Sequence, residues 1–291
     1  GSEQLVPAQA GSDLVTSINA SLQARAESAL DNALAYAGSP DARAAAVVMD
    51  VRTGRVLALA SRPDFSPADW VGGITERDYR RLSDSGALVD YAATGTSPPG
   101  SSFKPISVLA MGRNGFDLNG RYDCPGTYTA GGRTFTNHES EPYGSLSLAR
   151  ALEVSCNTVF YRAGDQMWRR AGGEDQGQGT MGPVAQASQD LGLGRPTGVD
   201  LPVESAGMVA SPDQKYRLWQ ERRSDWCAAA DAGYPELRRT DPVTADYYTA
   251  LDKENCRSGQ LWRQGDAINA AIGQGYTVTT PLQLAVAYSA I

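Results

Sequence analysis

Apolar positions recur at helical spacing from Asn19 onward. In NASLQARAESALDNALAYA, residues Leu22, Ala26, Ala29, Leu30 and Ala33 fall on one stripe, which predicts an amphipathic helix. The period then shortens: AAAVVMDVRTGRVLALAS reads as two apolar, β-branched strands around a polar turn ending in Gly54. Such a hairpin needs partners, because a lone two-stranded ribbon is marginal in water. Residues 62–100 are rich in turn formers, with a short helical pattern near TERDYRRL. In SPPGSSFKPISVLAMGRNG, from Ser97, residues Phe103, Ile106, Leu109 and Ala110 return to helical spacing, with Ser101 at the helix start and Asn114-Gly115 as the stop. A polar loop, YDCPGTYTAGGRTFTNHESEPYG, leads to a second helix, SLARALEVSCNTVFYRAG, and then to a Gly-rich connection, AGGEDQGQGTMGP. Residues 211–266 hold three of the five tryptophans (Trp219, Trp226 and Trp262) and read as an irregular or helical insertion. YTVTTPLQLAVAYSAI opens a final helix with Thr280 as N-cap and Pro281 in its first position.

Composition narrows the function classes. A chain of 291 residues with 41% hydrophobic and 20% charged residues buries one sizeable core or two modest ones. A net charge of -7 without a run of five like charges argues against nucleic acid as a partner. No window approaches eighteen consecutive apolar residues, and GSEQLVPAQAGSD lacks the basic and apolar segments of a signal peptide. Residues 1–12 read as an expression-tag scar and linker, so the native protein is expected to carry a leader or anchor outside this chain. Cys124, Cys156, Cys227 and Cys256 show no C-x-x-C spacing, and neither a metal nor a cofactor is expected. Cys227 and Cys256 flank one polar insertion, which favours a disulfide between them. Four free thiols is the competing reading, and the state of Cys124 and Cys156 stays open.

Of 26 Lys plus Arg residues only three are lysines, namely Lys104, Lys215 and Lys253. Arginine stays protonated inside proteins, whereas a desolvated lysine can lose its proton and act as a base. With Ser101 at a helix start, Lys104 falls on the same face one turn on, where its amine can reach the serine hydroxyl. The helix N-terminus would stabilise an oxyanion at Ser101 and disfavour the ammonium. Pro105 fits a first turn, and Pro98-Pro99-Gly100 stiffens the approach. A chain of this length holds about one Ser-x-x-Lys by chance, so a capping serine beside a surface lysine is the competing reading. Ser155-Cys156-Asn157 adds a hydroxyl and an amide two residues apart, suited to proton relay and amide binding if the segment turns between helices. His138, the single histidine, lies in a polar loop and reads as solvated surface.

SPPGSSFKP, then LEVSCN, then GDAINAAIGQGYTVTTPLQLAVAYSAI resemble, in order and at about these separations, the transpeptidase domain of high-molecular-mass penicillin-binding proteins. The similarity runs from about Asp13 to the end, through DVRTGRVLALASRP and LGLGRPTGVDLP; class B is the best match. The Arg-rich composition and the ENC-containing insertion point to an actinobacterial member. The resemblance implies an α/β fold of the α+β type, the transpeptidase and serine β-lactamase-like fold, with an antiparallel sheet flanked by helices and an all-helical subdomain. Carried over by position, it implies Ser101 as acylated nucleophile, Lys104 as its base, Ser155 as proton relay and Asn157 as ligand of the substrate amide. One oxyanion donor would be the Ser101 backbone amide. The implied reaction is cross-linking of peptidoglycan stem peptides at D-Ala-D-Ala, outside the cytoplasm on a membrane-anchored protein. β-Lactam antibiotics would be inhibitors, and other cell-wall synthesis or division proteins would be partners.

The family's third motif, Lys-Thr/Ser-Gly on a strand after the final helix, has no counterpart before Ile291; Arg52-Thr53-Gly54 and Pro196-Thr197-Gly198 lie in the wrong places. The expectation is a domain over residues 13–291, truncated before that motif, with an insertion at about 211–266 and poor activity as an isolated unit. Two readings compete with a transpeptidase. A serine β-lactamase would need a deacylating base, and no Glu-x-x-Leu-Asn-like segment follows the second motif. The other is a non-catalytic module, in which an acylatable serine senses β-lactam or the domain only scaffolds cell-wall synthesis; the missing third motif favours it, and the intact Ser101, Lys104, Ser155 and Asn157 count against it.

Overall fold

The computed structural model describes residues 10–39 and 42–291, and the chain divides into two compact units, residues 1–92 and 93–291. The tag scar and linker expected at 1–12 lie mostly outside the described residues.

In the first unit the leading helix, α1 (Ala20–Tyr36), starts where Asn19 accepts a hydrogen bond from the Leu22 amide at 3.0 Å. Leu22, Ala26, Leu30 and Leu34 form its half-buried stripe, whereas Ala29 and Ala33 are exposed, so the stripe drifts from its expected position. Strands β1 (Ala44–Met49) and β2 (Val56–Arg62) pair antiparallel, from Ala44 with Arg62 to Met49 with Val56, with a bulge between Val48 and Met49. Asp50 builds the turn by accepting from the Arg52 amide (3.0 Å) and the Thr53 hydroxyl (2.8 Å), and Gly54 takes a φ of 71°. The free edge of β2 is covered locally. Gln23 of α1 accepts from the Leu59 amide at 2.8 Å and donates to the Leu59 carbonyl at 2.9 Å, doing what a third strand would do there. Helix α2 (Glu76–Ser85) is capped by Thr75 and ended by Gly86 in the left-handed region.

The second unit opens on a 3₁₀ turn, Gly100–Phe103, that runs into helix α3 (Lys104–Arg113). The α-helix therefore starts at Lys104 rather than at Ser101, because the three residues before it turn too tightly for i to i+4 bonding. Residues 121–147 correct the loop reading. They form strands β3 (Arg121–Cys124), β4 (Thr127–Ala130), β5 (Arg133–Thr136) and β6 (Gly144–Ser147), paired β3 with β6 and β4 with β5. Four residues apiece are too few to show a period-2 signal, although Gly131-Gly132 marks the β4–β5 turn.

The single helix expected over SLARALEVSCNTVFYRAG is two: α4 (Leu148–Glu153), capped by Ser147, and α5 (Asn157–Arg170). Helix α6 (Pro183–Asp190) follows the Gly-rich connection. The stretch that reads as an insertion is helical, with α7 (Pro212–Ala232), α8 (Pro235–Thr240) and α9 (Pro242–Ser258), and Cys227 is disulfide-bonded to Cys256 between α7 and α9. Trp219 donates to the Asn255 carbonyl at 2.9 Å, so this tryptophan is local packing. Helices α10 (Gln264–Ala270) and α11 (Pro281–Ser289) complete the unit, and Thr280 with Gln283 forms a capping box.

Its core joins Phe103, Ile106, Ala110 and Met111 of the α3 region to Val159, Phe160, Ala163 and Met167 of α5 and to Ile268 and Ile272. Each such large side chain contributes about 1.5–3 kcal/mol by leaving water. Helices α5 and α10 approach closely at Gly164, where a Cβ would stand 2.8 Å from the Ala267 carbonyl oxygen.

Candidate active site

The 3₁₀ turn leaves Ser101 exposed on the surface and sends Lys104 underneath it, to 1% exposure. Three bonds hold this turn from the rear. The Gly100 amide donates to the Gly273 carbonyl (3.0 Å), Ser107 Oγ donates to the Ala271 carbonyl (2.7 Å), and the Tyr288 hydroxyl donates to the Ser102 carbonyl (2.6 Å). Gly273 is required by space as well as by its φ of 68°, since a Cβ there would lie 2.4 Å from Phe103 Cβ and 2.6 Å from the Gly100 oxygen.

Ser155 and Asn157 come from the break between α4 and α5. The Cys156 amide donates to the Ala151 carbonyl (2.8 Å) and the Ser155 amide to the Leu152 carbonyl (3.0 Å). This double closure ends α4 in the manner that usually places glycine at the left-handed position. Here that position is Ser155, with a φ of 55°. An L-residue in this conformation costs about 1–2 kcal/mol. The serine hydroxyl is thus held at a backbone site that favours a residue with no side chain.

The four residues singled out in the sequence meet. Lys104 Nζ lies 3.1 Å from Ser101 Oγ, 2.9 Å from Ser155 Oγ, 2.8 Å from the Ser155 carbonyl oxygen and 2.6 Å from Asn157 Oδ1. Ser155 Oγ is 2.8 Å from Ser101 Oγ. An ammonium has three hydrogens for these four acceptors, so one of the four is left over or shares a hydrogen. A neutral amine likewise has three valences for four neighbours: two N–H groups can donate to the Ser155 carbonyl and Asn157 Oδ1 while the nitrogen lone pair accepts the Ser101 proton, and Ser155 Oγ is left to donate to Ser101 Oγ.

Among the described residues, no Asp or Glu side chain is hydrogen-bonded to Ser101, Lys104, Ser155 or Asn157. Burial pushes the Lys104 amine down to about 8 from an ordinary 10.5. The ring of Phe160 lies 5.6 Å from Nζ, a contact that favours the cation but does not offset its desolvation. The site therefore offers an exposed hydroxyl, a buried amine that titrates near neutrality, a second hydroxyl touching both, and an amide alongside. That set can perform nucleophilic acyl transfer. No group of three or more His, Cys, Asp or Glu side chains that could hold a metal occurs among the described residues.

Further contributors left little sequence signal. Gly273 and Tyr288 sit in the third quoted block without a local pattern assigning them to the nucleophile turn. Cys124 is disulfide-bonded to Cys156, the residue between Ser155 and Asn157. Asn137, buried at 4% exposure, contacts the same turn from within what reads as a polar loop. His138 is exposed, as expected.

Comparison with known proteins gives a family and a fold. The family described as penicillin binding protein transpeptidase domain matches residues 44–291. Peptidoglycan D,D-transpeptidase MrdA of Acinetobacter baumannii is 31% identical over 282 residues, covering 95% of this chain and 33% of that protein. The structure of Pseudomonas aeruginosa PBP2 in complex with WCK 5153 superposes with a TM-score of 0.65 at 26% identity, covering 94% of this chain and 50% of that one. The penicillin G acyl-enzyme of penicillin-binding protein A from M. tuberculosis has the same fold, with a TM-score of 0.65 at 20% identity, covering 94% of this chain and 50% of that one. The chain spans about a third of the length of the curated relative it matches. On the extent of the family match and the identity to that relative over 95% of its own length, this chain belongs to the penicillin-binding protein transpeptidase domain family.

Proposed function

We propose that this chain carries the acyl-transfer centre of a peptidoglycan D,D-transpeptidase, with Ser101 as nucleophile. The observation that carries the reading is the buried Lys104 amine, 3.1 Å from Ser101 Oγ and without a carboxylate partner. In its neutral form Lys104 takes the Ser101 proton as Oγ bonds to the carbonyl carbon of the penultimate D-Ala. Ser155, 2.8 Å from Ser101 Oγ and 2.9 Å from Lys104 Nζ, passes a proton to the departing D-Ala nitrogen as the peptide bond breaks. Asn157 orients the donor amide. The acyl-serine is then attacked by the amine of a neighbouring stem, which closes the cross-link and returns the proton to Ser101. A β-lactam enters by the same first step, with its ring nitrogen as the leaving group.

With no carboxylate hydrogen-bonded at the serine among the described residues, the site favours a lasting penicillin adduct over a lactamase, because the carboxylate base that would activate water at the ester is not held there. Two disulfides fit an oxidising compartment outside the cytoplasmic membrane. No helix among the described residues is long and apolar enough to cross a membrane, so an anchor would lie elsewhere in the protein. Cell-wall synthesis proteins are the expected partners.

The test is to incubate the intact protein with a fluorescent penicillin and locate the adduct by intact mass and peptide mapping. A stable adduct on Ser101, absent in Ser101→Ala, is expected. An adduct hydrolysed within seconds favours the lactamase, and no adduct at all leaves the scaffold reading in its place.

A further inference from the structure

Helix α5 carries Asn157 in its first position, yet Cys156, its N-cap residue, supplies no capping side chain. Its first amides are satisfied from elsewhere. Asn137, twenty residues upstream, accepts from the Asn157 amide at 2.9 Å and from the Thr158 amide at 3.0 Å through one oxygen, Oδ1. The other end of the same amide is anchored to the opposite wall: Nδ2 donates to the Pro125 carbonyl (3.0 Å) and the Glu141 carbonyl (2.8 Å), beside Cys124 Sγ at 3.3 Å. The side chain uses its two donors and both acceptor lone pairs, and it is almost completely buried. A buried amide satisfied on all sides has one low-energy placement, so it behaves as a strut between the 124–126 strip and the first turn of α5.

The strut bears directly on the chemistry, because Asn157 uses its backbone toward Asn137 and its side chain toward Lys104. Its Oδ1 is 2.6 Å from Lys104 Nζ, and Ser155, two residues earlier, supplies two further Nζ contacts. We propose that Asn137 is a positioning residue for acyl transfer, one that sets the Ser155–Asn157 turn against Lys104 and thereby controls the protonation of the base. The Cys124–Cys156 disulfide ties the same strip to the same turn but constrains only the residue between the two functional side chains. The amide constrains the peptide that carries Asn157 itself. This inference rests on the acyl-transfer reading of the site.

The experiment measures the second-order rate of acylation by a fluorescent penicillin against pH, together with Tm, in the intact protein. Wild type is compared with Asn137→Ala, Asn137→Asp and the remote pair Cys227→Ala with Cys256→Ala. Asn137→Ala is expected to slow acylation by about ten- to a hundredfold, on the scale of a misplaced catalytic group, and to move the pH at which the rate levels off. Asn137→Asp keeps an oxygen facing both α5 amides but sets its other oxygen against the Pro125 and Glu141 carbonyls, which breaks the strut at that end, so it too should slow acylation, and it carries the test should the alanine variant not fold. The remote pair lowers Tm but should leave the levelling-off pH where it is. If the Asn137 variants lose stability with an unmoved pH profile, or keep the wild-type rate, Asn137 is only structural and the inference fails. If wild type itself takes no label, the acyl-transfer reading fails instead.

Discussion

Of the three lysines, all in the second unit, two are buried, Lys104 at 1% exposure and Lys215 at 6%, while Lys253 is exposed. Lys215 is held as an ion. Its Nζ sits 2.6 Å from Asp266 Oδ2, that carboxylate also accepts from the Arg263 amide, and the ring of Tyr276 lies 5.5 Å away. Burial lowers its pKa, and Asp266 pulls against the shift. Lys104 has hydroxyls, a carbonyl and an amide for company, and no carboxylate opposes the effect of burial on it. The same side chain is thus structural where a carboxylate neutralises it and chemically available where none does. The difference between 10.5 and about 8 corresponds to about 3 kcal/mol against the ammonium.

The folded pKa of Lys104 is below the unfolded one, so between about pH 8 and 10.5 the unfolded chain binds more protons and this group's contribution to stability rises with pH. Below about pH 8 the full cost of burying the ammonium is present. A residue that weakens the fold at neutral pH is hard to explain as packing and easy to explain as a base.

The strongest way to break the contrast is Lys104→Arg. It keeps the charge but cannot give up its proton, and acylation by penicillin should fall by about a thousandfold. Retention of most of the rate would place the base elsewhere. Next in size is Lys215→Met, which strands the Asp266 carboxylate. Stability should drop by about 3 kcal/mol in urea unfolding while the acylation rate of the folded protein hardly changes. A loss of rate without a loss of stability would give Lys215 a chemical role and erase the distinction. The smallest effect is the pH dependence of the wild type. With the amine at about 8, the neutral fraction rises about fivefold from pH 7 to pH 8. Acylation should follow it and level off above pH 9, and a flat profile would show that Lys104 does not take the proton in the slow step.

Local rules, which operate over four or five residues, were readable along the chain. Thr280 stands at its cap, Pro105 and Pro281 in first turns, and Gly54 at the end of the hairpin turn, because each is decided by the nearest backbone groups. The Ser101-to-Lys104 spacing belongs to the same class, even though the turn proved to be 3₁₀ with the α-helix starting only at Lys104. The short strands between Arg121 and Ser147 were not readable, since four-residue ribbons carry too few alternations and the order of their pairing is set by packing.

The candidate site divides along the same line. Residue types and their order named Ser101, Lys104, Ser155 and Asn157, and family resemblance attached roles to them. Nothing local could say that Ser155 and Asn157 reach an amine more than fifty residues earlier, that Ser155 takes a left-handed backbone, or that Cys124 closes on Cys156. Nor could it say that Lys215 is buried as well, with Asp266 for a partner. A lysine's chemistry depends on its dielectric surroundings and on the nearest carboxylate, and both are assembled from distant segments when the helices pack.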